Sequence, residues 1–319
     1  MRDVDGKLQR QEDGGRFVVV LANRGRHWPV RDAITDFMSA HPAIRVIVTC
    51  RILSYANDAW QIPGLPAETL APFNWGQIGQ FVRAWYNASQ AAGLIEPKLA
   101  ETRIGDLKQA LRDHQLEGPA SNPMLLTVMA LVHNHTGSLP RENARLYAEC
   151  VELLMFRWKP LDSGWLKDEL NAREDDIYRA LWELAYAAHE EQADKTGPAD
   201  ITESTVIGVM RKRFDDIKKA ETFCSYVEER AGLLVGRGEG RDGWKVFTFP
   251  HRTFQEYLAG CHIANGKRSL RRRFKEKALA GPGWRETLLL AAGHLVFNDT
   301  DIESTIDAVA PLVVLEPEH

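Results

Sequence analysis

At 319 residues, the chain is long enough for two or three compact units, because a single hydrophobic core usually stops growing before that size. Its apolar fraction of 44% and charged fraction of 26% are ordinary for a globular protein, and no uncharged apolar run approaches the ~20 residues needed to cross a bilayer. A net charge of −4 gives no overall positive field, which excludes the global electrostatic signature of a nucleic-acid or anionic-membrane binder.

The first elements in chain order are two predicted parallel strands with a helix between them. Residues 17–22 (FVVVLA) and 45–50 (RVIVTC) are β-branched runs without alternation, as expected for strands covered on both faces. Residues 30–41 have helical spacing. A strand, a helix and a second strand with short links form a βαβ unit and imply a parallel sheet. Two strands cannot bury themselves, so either more sheet comes from a missing N-terminal part or this edge is exposed.

After residue 51 the predicted elements are mostly helical. Apolar spacing predicts four helices, over residues 75–89, 98–114, 122–137 and 144–158. The third begins at Asn122, an N-cap residue followed by proline at the first helical position, and it stops near Gly137. Residues 159–165 (KPLDSGW) are a predicted linker.

A winged helix is predicted from Glu174 onward. Amphipathic spacing predicts helices over 175–190, 204–214 and 220–232, the second of them capped by Thr202. Strands over 233–237 and 244–249 flank GEGRDG, which predicts a β-hairpin. Three helices followed by a hairpin is the element order of a winged helix. A helix over 251–265 closes this unit, and helices over 268–279 and 284–298 begin another helical layer.

Two local motifs have competing interpretations. GRGEG (236–240) has the glycines of a phosphate loop, but such a loop must lie between a strand and a helix N-terminus, so that free N–H groups point at the anion. Here the glycines join two strands, so we interpret them as part of a hairpin turn. His133 and His135 are two residues apart on a helix, which places them on different sides and does not favour a metal site.

The segment 267–277 (KRSLRRRFKEK) holds seven basic residues and one acid. A basic helix can contact phosphates through salt-sensitive, sequence-independent binding, so a winged-helix nucleic-acid-binding protein is one alternative. The sequence does not favour this alternative. Two helices could enter a groove: the helix over 204–214 is basic only at its end, and the helix over 220–232 is acidic. The other interpretation is a solvated face, or a patch that pairs with an acidic neighbour.

Three stretches occur in an informative order: RVIVTCRILSY (45–55), SNPMLLTVMALVH (121–133) and FTFPHRTFQEYLAG (247–260). Together they resemble the NACHT family of STAND nucleotide-switch ATPases, and the resemblance covers roughly residues 28 to 300. It implies that Arg51 approaches the γ-phosphate, that Pro123 packs near the base, and that His251 reaches the β-phosphate in the resting state. A position at the end of a parallel strand suits Arg51 for this role, and a helix start suits His251, because the helix dipole favours anions.

The phosphate-binding motif of that family is missing. No GxxxxGK[ST] occurs in the sequence, and the expected Mg²⁺-binding acids are absent from GGRFVVVLA (14–22). Phosphoryl transfer depends on a phosphate cradle and a metal for most of its electrostatic stabilisation, so we expect no ATP hydrolysis by this chain alone. The resemblance resumes abruptly near ANRGRHWPVRDAI (22–34), which we interpret as a substituted N-terminus rather than a slowly decayed active site.

We therefore expect a mainly α protein with a small α/β part. Its predicted domains are a partial nucleotide-binding α/β domain with a remnant of a parallel P-loop NTPase sheet (1–75), a helical domain (76–160), a winged helix (161–265) and the start of a helical sensor or repeat region (266–319). With no secretory signal and four dispersed cysteines, a cytoplasmic protein with reduced thiols is expected.

The resemblance implies a truncated nucleotide-switch signalling module. Its cofactor would be ATP or ADP, with Mg²⁺ in intact relatives, and its partners would be further copies or other protein subunits. Such modules serve signal transduction, including bacterial defence. The alternatives are the winged-helix nucleic-acid binder and a nucleotide-independent interaction scaffold.

Overall fold

A computed structural model describes eleven segments of the chain: residues 16–20, 28–42, 45–49, 61–114, 116–157, 165–192, 199–229, 231–239, 244–265, 269–298 and 302–313. Within them the packing divides the chain into two compact units. The smaller comprises Met1–Leu70 and Gly236–Thr248, and the larger comprises Ala71–Val235 and Phe249–His319.

Helices dominate the described residues. They are α1 (Trp28–Ala40), α2 (Trp75–Ala91), α3 (Pro97–Asp113), α4 (Glu117–Ala120), α5 (Pro123–Thr136), α6 (Asn143–Glu152), α7 (Trp165–Leu170), α8 (Glu174–Gln192), α9 (Glu203–Phe214), α10 (Ile217–Glu229), α11 (Arg252–Ala264), α12 (Leu270–Leu279), α13 (Arg285–Asn298) and α14 (Ile302–Val313). A π-helical turn, Leu153–Arg157, extends α6, and a 3-10 turn, Pro282–Trp284, precedes α13.

Five strands form two small sheets. Strands β1 (Arg16–Val20) and β2 (Arg45–Thr49) pair in parallel, with Phe17 opposite Val46, which confirms the predicted βαβ unit around α1. The second sheet has the order β3 (Asp200–Thr202), β5 (Lys245–Thr248), β4 (Val235–Glu239). The assignment of β1 and β2 to a P-loop remnant stays a prediction, because two strands do not distinguish it from other parallel sheets.

Strands β4 and β5 confirm the predicted hairpin. Five residues separate them, which suffices for an antiparallel turn but not for the crossover that parallel strands need. The first four residues of GRGEG lie within β4, so this motif has no helix N-terminus behind it and is not a phosphate loop. Residues 240–243 at the turn lie outside the described part of the chain.

The first helices of the larger unit follow their capping signals. Asn74 accepts a hydrogen bond from the Gln77 amide, and the Gln77 side chain accepts one from the Asn74 amide, which is a capping box at the start of α2. Asn122 caps α5 through the amides of Met124 and Leu125, and Gly137 ends it at φ +89°. Both boundaries of α5 match the prediction.

The winged-helix segment has the predicted helices α8, α9 and α10. On α8, one apolar side of the helix holds Ile177, Leu181, Leu184 and Ala188, and all four are buried. Thr202 accepts a hydrogen bond from the Thr205 amide and so caps α9, as expected. Strand β3, immediately before this cap, is three residues long and too short to produce a readable period.

The last helices form a layer against α11. Phe274 and Trp284 are buried in one apolar cluster with Ile263, Leu288 and further residues of α11 and α13. Gly260 and Gly293 let α13 approach its neighbours closely, since a Cβ on Gly260 would lie 2.8 Å from the Thr287 carbonyl oxygen. Of the four cysteines, Cys150, Cys224 and Cys261 are buried thiols, and Cys50 lies outside the described residues.

Candidate functional site at the start of α11

The structure describes two of the three residues predicted to face a nucleotide. Arg51 lies outside the described residues. Pro123 is exposed at the first position of α5, and His251 is half-buried at the N-cap of α11. Each of the two therefore stands at a helix start within the larger unit, where backbone N–H groups carry partial positive charge.

His251 uses one ring nitrogen to cap its own helix. Its Nδ1 accepts a hydrogen bond from the Thr253 amide at 3.3 Å and lies 2.8 Å from the Thr253 hydroxyl. An imidazole nitrogen that accepts from a backbone N–H carries no proton, so the neutral ring must hold its proton on Nε2. Burial lowers the pKa of His251, which favours this neutral form. His251 can therefore offer Nε2–H as a donor to a ligand oxygen.

The next turn of α11 is polar on its inner side. Arg252 donates to Glu256 at 2.7 Å, and the Glu256 carboxylate is largely buried. Burial raises the pKa of Glu256, and the hydrogen bond from Arg252 partly offsets that shift. The pair neutralises its own charge, so the helix start remains free of an unbalanced carboxylate that would repel an anion.

Gln255, one turn after His251, belongs to a buried polar network. Its Oε1 accepts from the Ala199 amide at 2.7 Å, which fixes the side-chain amide with its NH₂ group toward His189 Nδ1, 3.2 Å away. Nδ1 is thereby an acceptor, and the His189 proton must lie on Nε2. Nε2 faces the Gly283 carbonyl at 3.2 Å and the Thr287 hydroxyl at 3.0 Å.

This network joins α8, the residue before β3, α11 and the start of α13. His189 and Gln255 are fully buried, and the edge of Trp284 contacts the His189 ring at 4.7 Å between centroids. Periodicity predicted a buried face on α8 but gave no sign of this network, because its members are 56 to 98 residues apart in sequence. The local signal is a glutamine, Gln255, directly after Phe254 on the side of α11 that is buried.

Aromatic packing holds α11 against α6. The ring of Tyr147 meets Phe254 edge-on at 5.6 Å and stacks on Tyr257 at 5.9 Å between centroids. These contacts anchor the first turns of α11 and hence the direction in which His251 points. Burial raises the pKa of Tyr147 to about 12, so it remains an uncharged phenol.

The histidine pair on α5 separates as predicted. His133 is buried and lies 2.7 Å, through Nδ1, from the Tyr86 hydroxyl, whereas His135 is exposed. Arg103 donates to the His133 carbonyl at 3.0 Å and thereby caps the end of α5. His133 is therefore a structural residue. Across the described segments, no three His, Cys, Asp or Glu side chains gather as metal ligands.

The basic segment 267–277 is largely engaged within the protein over its described part. Lys277 pairs with Glu190 at 2.6 Å and lies 4.3 Å from the Trp284 ring centroid. Arg272 pairs with Glu276 at 2.9 Å, and Arg273 donates to the Asn265 carbonyl at 2.8 Å. These contacts fit a patch that pairs with acidic neighbours more closely than a free phosphate-binding face.

A family model described as the winged helix-turn-helix domain C-terminal to NACHT matches residues 143–263. The match indicates a winged-helix domain and supports a NACHT-family context for the chain. It begins with α6 and ends within α11, so it includes His251, His189 and Gln255. No curated protein and no solved structure matches the chain significantly. None of the described helices combines the length and the apolarity that a membrane crossing requires.

Proposed function

We propose that this chain is part of a NACHT-type nucleotide-switch signalling module, placed in the cytoplasm, in which His251 contacts the β-phosphate of bound ADP. The observation that carries the proposal is the position of His251 at the N-cap of α11, inside the segment that matches a NACHT-associated winged helix. Arg51 and Pro123 would be the sensor and the base platform of the same site. Release of His251 on exchange of ADP for ATP would free the module to associate with further copies or other subunits.

The chemistry of His251 supports this role. A neutral imidazole with its proton on Nε2 donates one hydrogen bond to a phosphate oxygen, and the positive end of α11 adds an attractive field. Because the ring carries no charge of its own, the contact is of moderate strength. A moderate contact suits a latch that must open when the nucleotide is exchanged.

The proposal includes no hydrolysis by this chain. The sequence has no GxxxxGK[ST] motif and no acids in the strand at 16–20, so nothing in it corresponds to the cradle and metal ligands that accelerate γ-phosphoryl transfer. Binding of ADP, rather than turnover of ATP, is therefore the property to test first.

Thermal unfolding with increasing ADP, with and without Mg²⁺, tests the proposal. A ligand that binds only the folded state stabilises it by about 2.7 kcal/mol at a concentration 100 times its Kd. His251→Asn removes Nε2 but keeps a strong N-cap, so it should leave the ligand-free Tm unchanged and abolish the ADP-dependent rise. His135→Asn, at an exposed histidine of α5, is the matched control and should keep the rise.

Two outcomes would contradict the proposal. If ADP raises the Tm equally in the wild type and His251→Asn, the nucleotide binds without His251. If neither ADP nor ATP changes the Tm of the wild type at millimolar concentration, the chain acts as a nucleotide-independent scaffold.

A further inference from the structure

A cationic stripe lies along the α2–α3 hairpin; it comprises Arg83 on α2, Lys108 and Arg112 on α3, and the ring of Trp75. Five residues join the two helices, which makes them antiparallel neighbours. Positions 75, 79 and 83 are four residues apart and share one side of α2, and positions 108 and 112 share one side of α3. The Lys108 side chain covers Gly79, and the Arg112 guanidinium lies 5.3 Å from the Trp75 ring centroid.

The stripe has no counter-ions within the described part of the chain. No carboxylate there lies within ion-pair distance of Arg83, Lys108 or Arg112. The cations also repel one another: Lys108 and Arg112 are a like-charge pair one turn apart, which destabilises a helix. Burial and then the charges of Arg83 and Arg112 lower the pKa of Lys108. In the basic segment 267–277, by comparison, two of the described cations, Arg272 and Lys277, pair with glutamates.

Glycines add a second stability cost at the same place. Gly79 on α2 and Gly105 on α3 are inside helices, where glycine is less favourable than alanine. A Cβ on Gly105 would meet nothing within 4 Å, and one on Gly79 would meet only the Lys108 side chain. Packing therefore does not require either glycine. At Gly105, where no side chain lies within 4 Å, a ligand can approach the helix backbone beside the cations.

From these features we infer that the cationic stripe binds the phosphate backbone of single-stranded nucleic acid. The stripe combines charges that repel one another with glycines that have no packing role. Selection for stability alone would not keep such features together on one face. A row of cations beside an aromatic ring is the surface that single strands use, with phosphates on the cations and bases near the ring. Stacking on Trp75 also holds the Arg112 guanidinium in place, so less side-chain conformational entropy is lost when the guanidinium binds a phosphate.

The stripe residues lie on α2 and α3 and none belongs to α11, so substituting them leaves His251 itself unchanged. The inference also differs from a winged-helix mode of DNA binding, since α2 and α3 precede the matched winged-helix segment. Failure of one proposal leaves the other intact.

The test is the salt dependence of binding to a labelled oligothymidylate, measured by fluorescence anisotropy. Each single-strand phosphate contact contributes about −0.7 to the slope of log K against log salt, so three contacts predict a slope of about −2. Replacing Arg83, Lys108 and Arg112 together by glutamine should bring the slope close to zero and weaken binding at low salt at least tenfold. The matched control replaces Arg271, Arg272 and Lys275 on α12 by glutamine, which removes the same charge and should leave the slope unchanged.

A melting curve of the stripe variant distinguishes loss of binding caused by unfolding from loss of binding caused by missing phosphate contacts. Removing mutually repelling cations should leave the Tm of the stripe variant unchanged or raised, as a melting curve will show. Equal loss of slope in the α12 control would overturn the inference, because net charge rather than the stripe would then govern binding. So would displacement of the oligonucleotide by polyglutamate at equal charge concentration, which would point to an acidic protein partner. The inference would also be overturned if the salt slope of the wild type were smaller in magnitude than about 0.7, the value for one phosphate contact.

Discussion

His189 is a buried histidine whose protonation should lower stability at acid pH. Burial, and after it the positive charge of Arg252, lower its pKa from 6.5 to about 4, and the hydrogen bond to the Gly283 carbonyl opposes that shift. The unfolded chain therefore takes up the proton first as the pH falls. The stabilisation from His189 is complete above pH 6.5, and it decreases progressively as the pH falls from 6.5 to about 4.

We predict that His189→Gln makes stability less sensitive to pH across this window. Glutamine keeps donor and acceptor groups in the network but cannot titrate. Urea unfolding from pH 7.5 to 4 should show a smaller fall in the free energy of unfolding for the variant than for the wild type, although the variant starts lower. His133 and His294 also have pKa values near 4, so part of the fall will remain. Identical pH profiles would show that His189 does not titrate in this range.

Among the helices, two interior glycines should respond oppositely to alanine. Gly260 lies where α11 meets α13, and a Cβ there would be 2.8 Å from the Thr287 carbonyl oxygen and 3.0 Å from the Ala291 amide nitrogen. Backbone atoms cannot move aside without separating the helices, so Gly260→Ala should cost about 1–3 kcal/mol. A Cβ on Gly79 would be 3.5 Å from Lys108 Cε, an ordinary contact, so Gly79→Ala should stabilise by about 0.5–1 kcal/mol.

Urea denaturation of the two alanine variants measures this difference. They carry the same substitution in the middle of a helix, so helix propensity contributes equally to both and only the packing differs. A stabilised Gly260→Ala would mean that α11 and α13 separate easily. A destabilised Gly79→Ala would mean that its glycine has a packing role, and it would weaken the inference about the cationic stripe.

Capping residues and periodicity predict these elements from sequence where the signal is local. Asn122 before a proline and Thr202 before an apolar run locate the starts of α5 and α9, because a cap acts within three residues. Strand β3 and the π-helical turn after α6 were not predicted, since three and five residues are too few to show a period. The predicted boundaries of the domains remain predictions.

At the scale of the whole molecule, the features that define a site come from residues distant in sequence. Gln255 meets His189 across 66 residues, and the cationic stripe needs α2 and α3 side by side. His251 could be identified from its motif, but its tautomer depends on the Thr253 amide, which only the folded geometry shows. The sequence therefore predicted where the helix starts, and the geometry of its first turn shows which ring nitrogen of His251 can donate.

The absence of a phosphate-binding loop predicts that this chain alone does not turn over ATP. The sequence has no GxxxxGK[ST] motif, so the negative charge that develops on the transferred phosphoryl group lacks the preorganised partner that this motif supplies. Phosphate release from ATP should therefore stay at the level of buffer, with or without Mg²⁺, even under conditions where ADP raises the Tm. Mg²⁺-dependent turnover that disappears in Arg51→Ala would contradict this, and it would make residues near Arg51 part of a working catalytic site. Turnover that survives that substitution would instead indicate a contaminating enzyme.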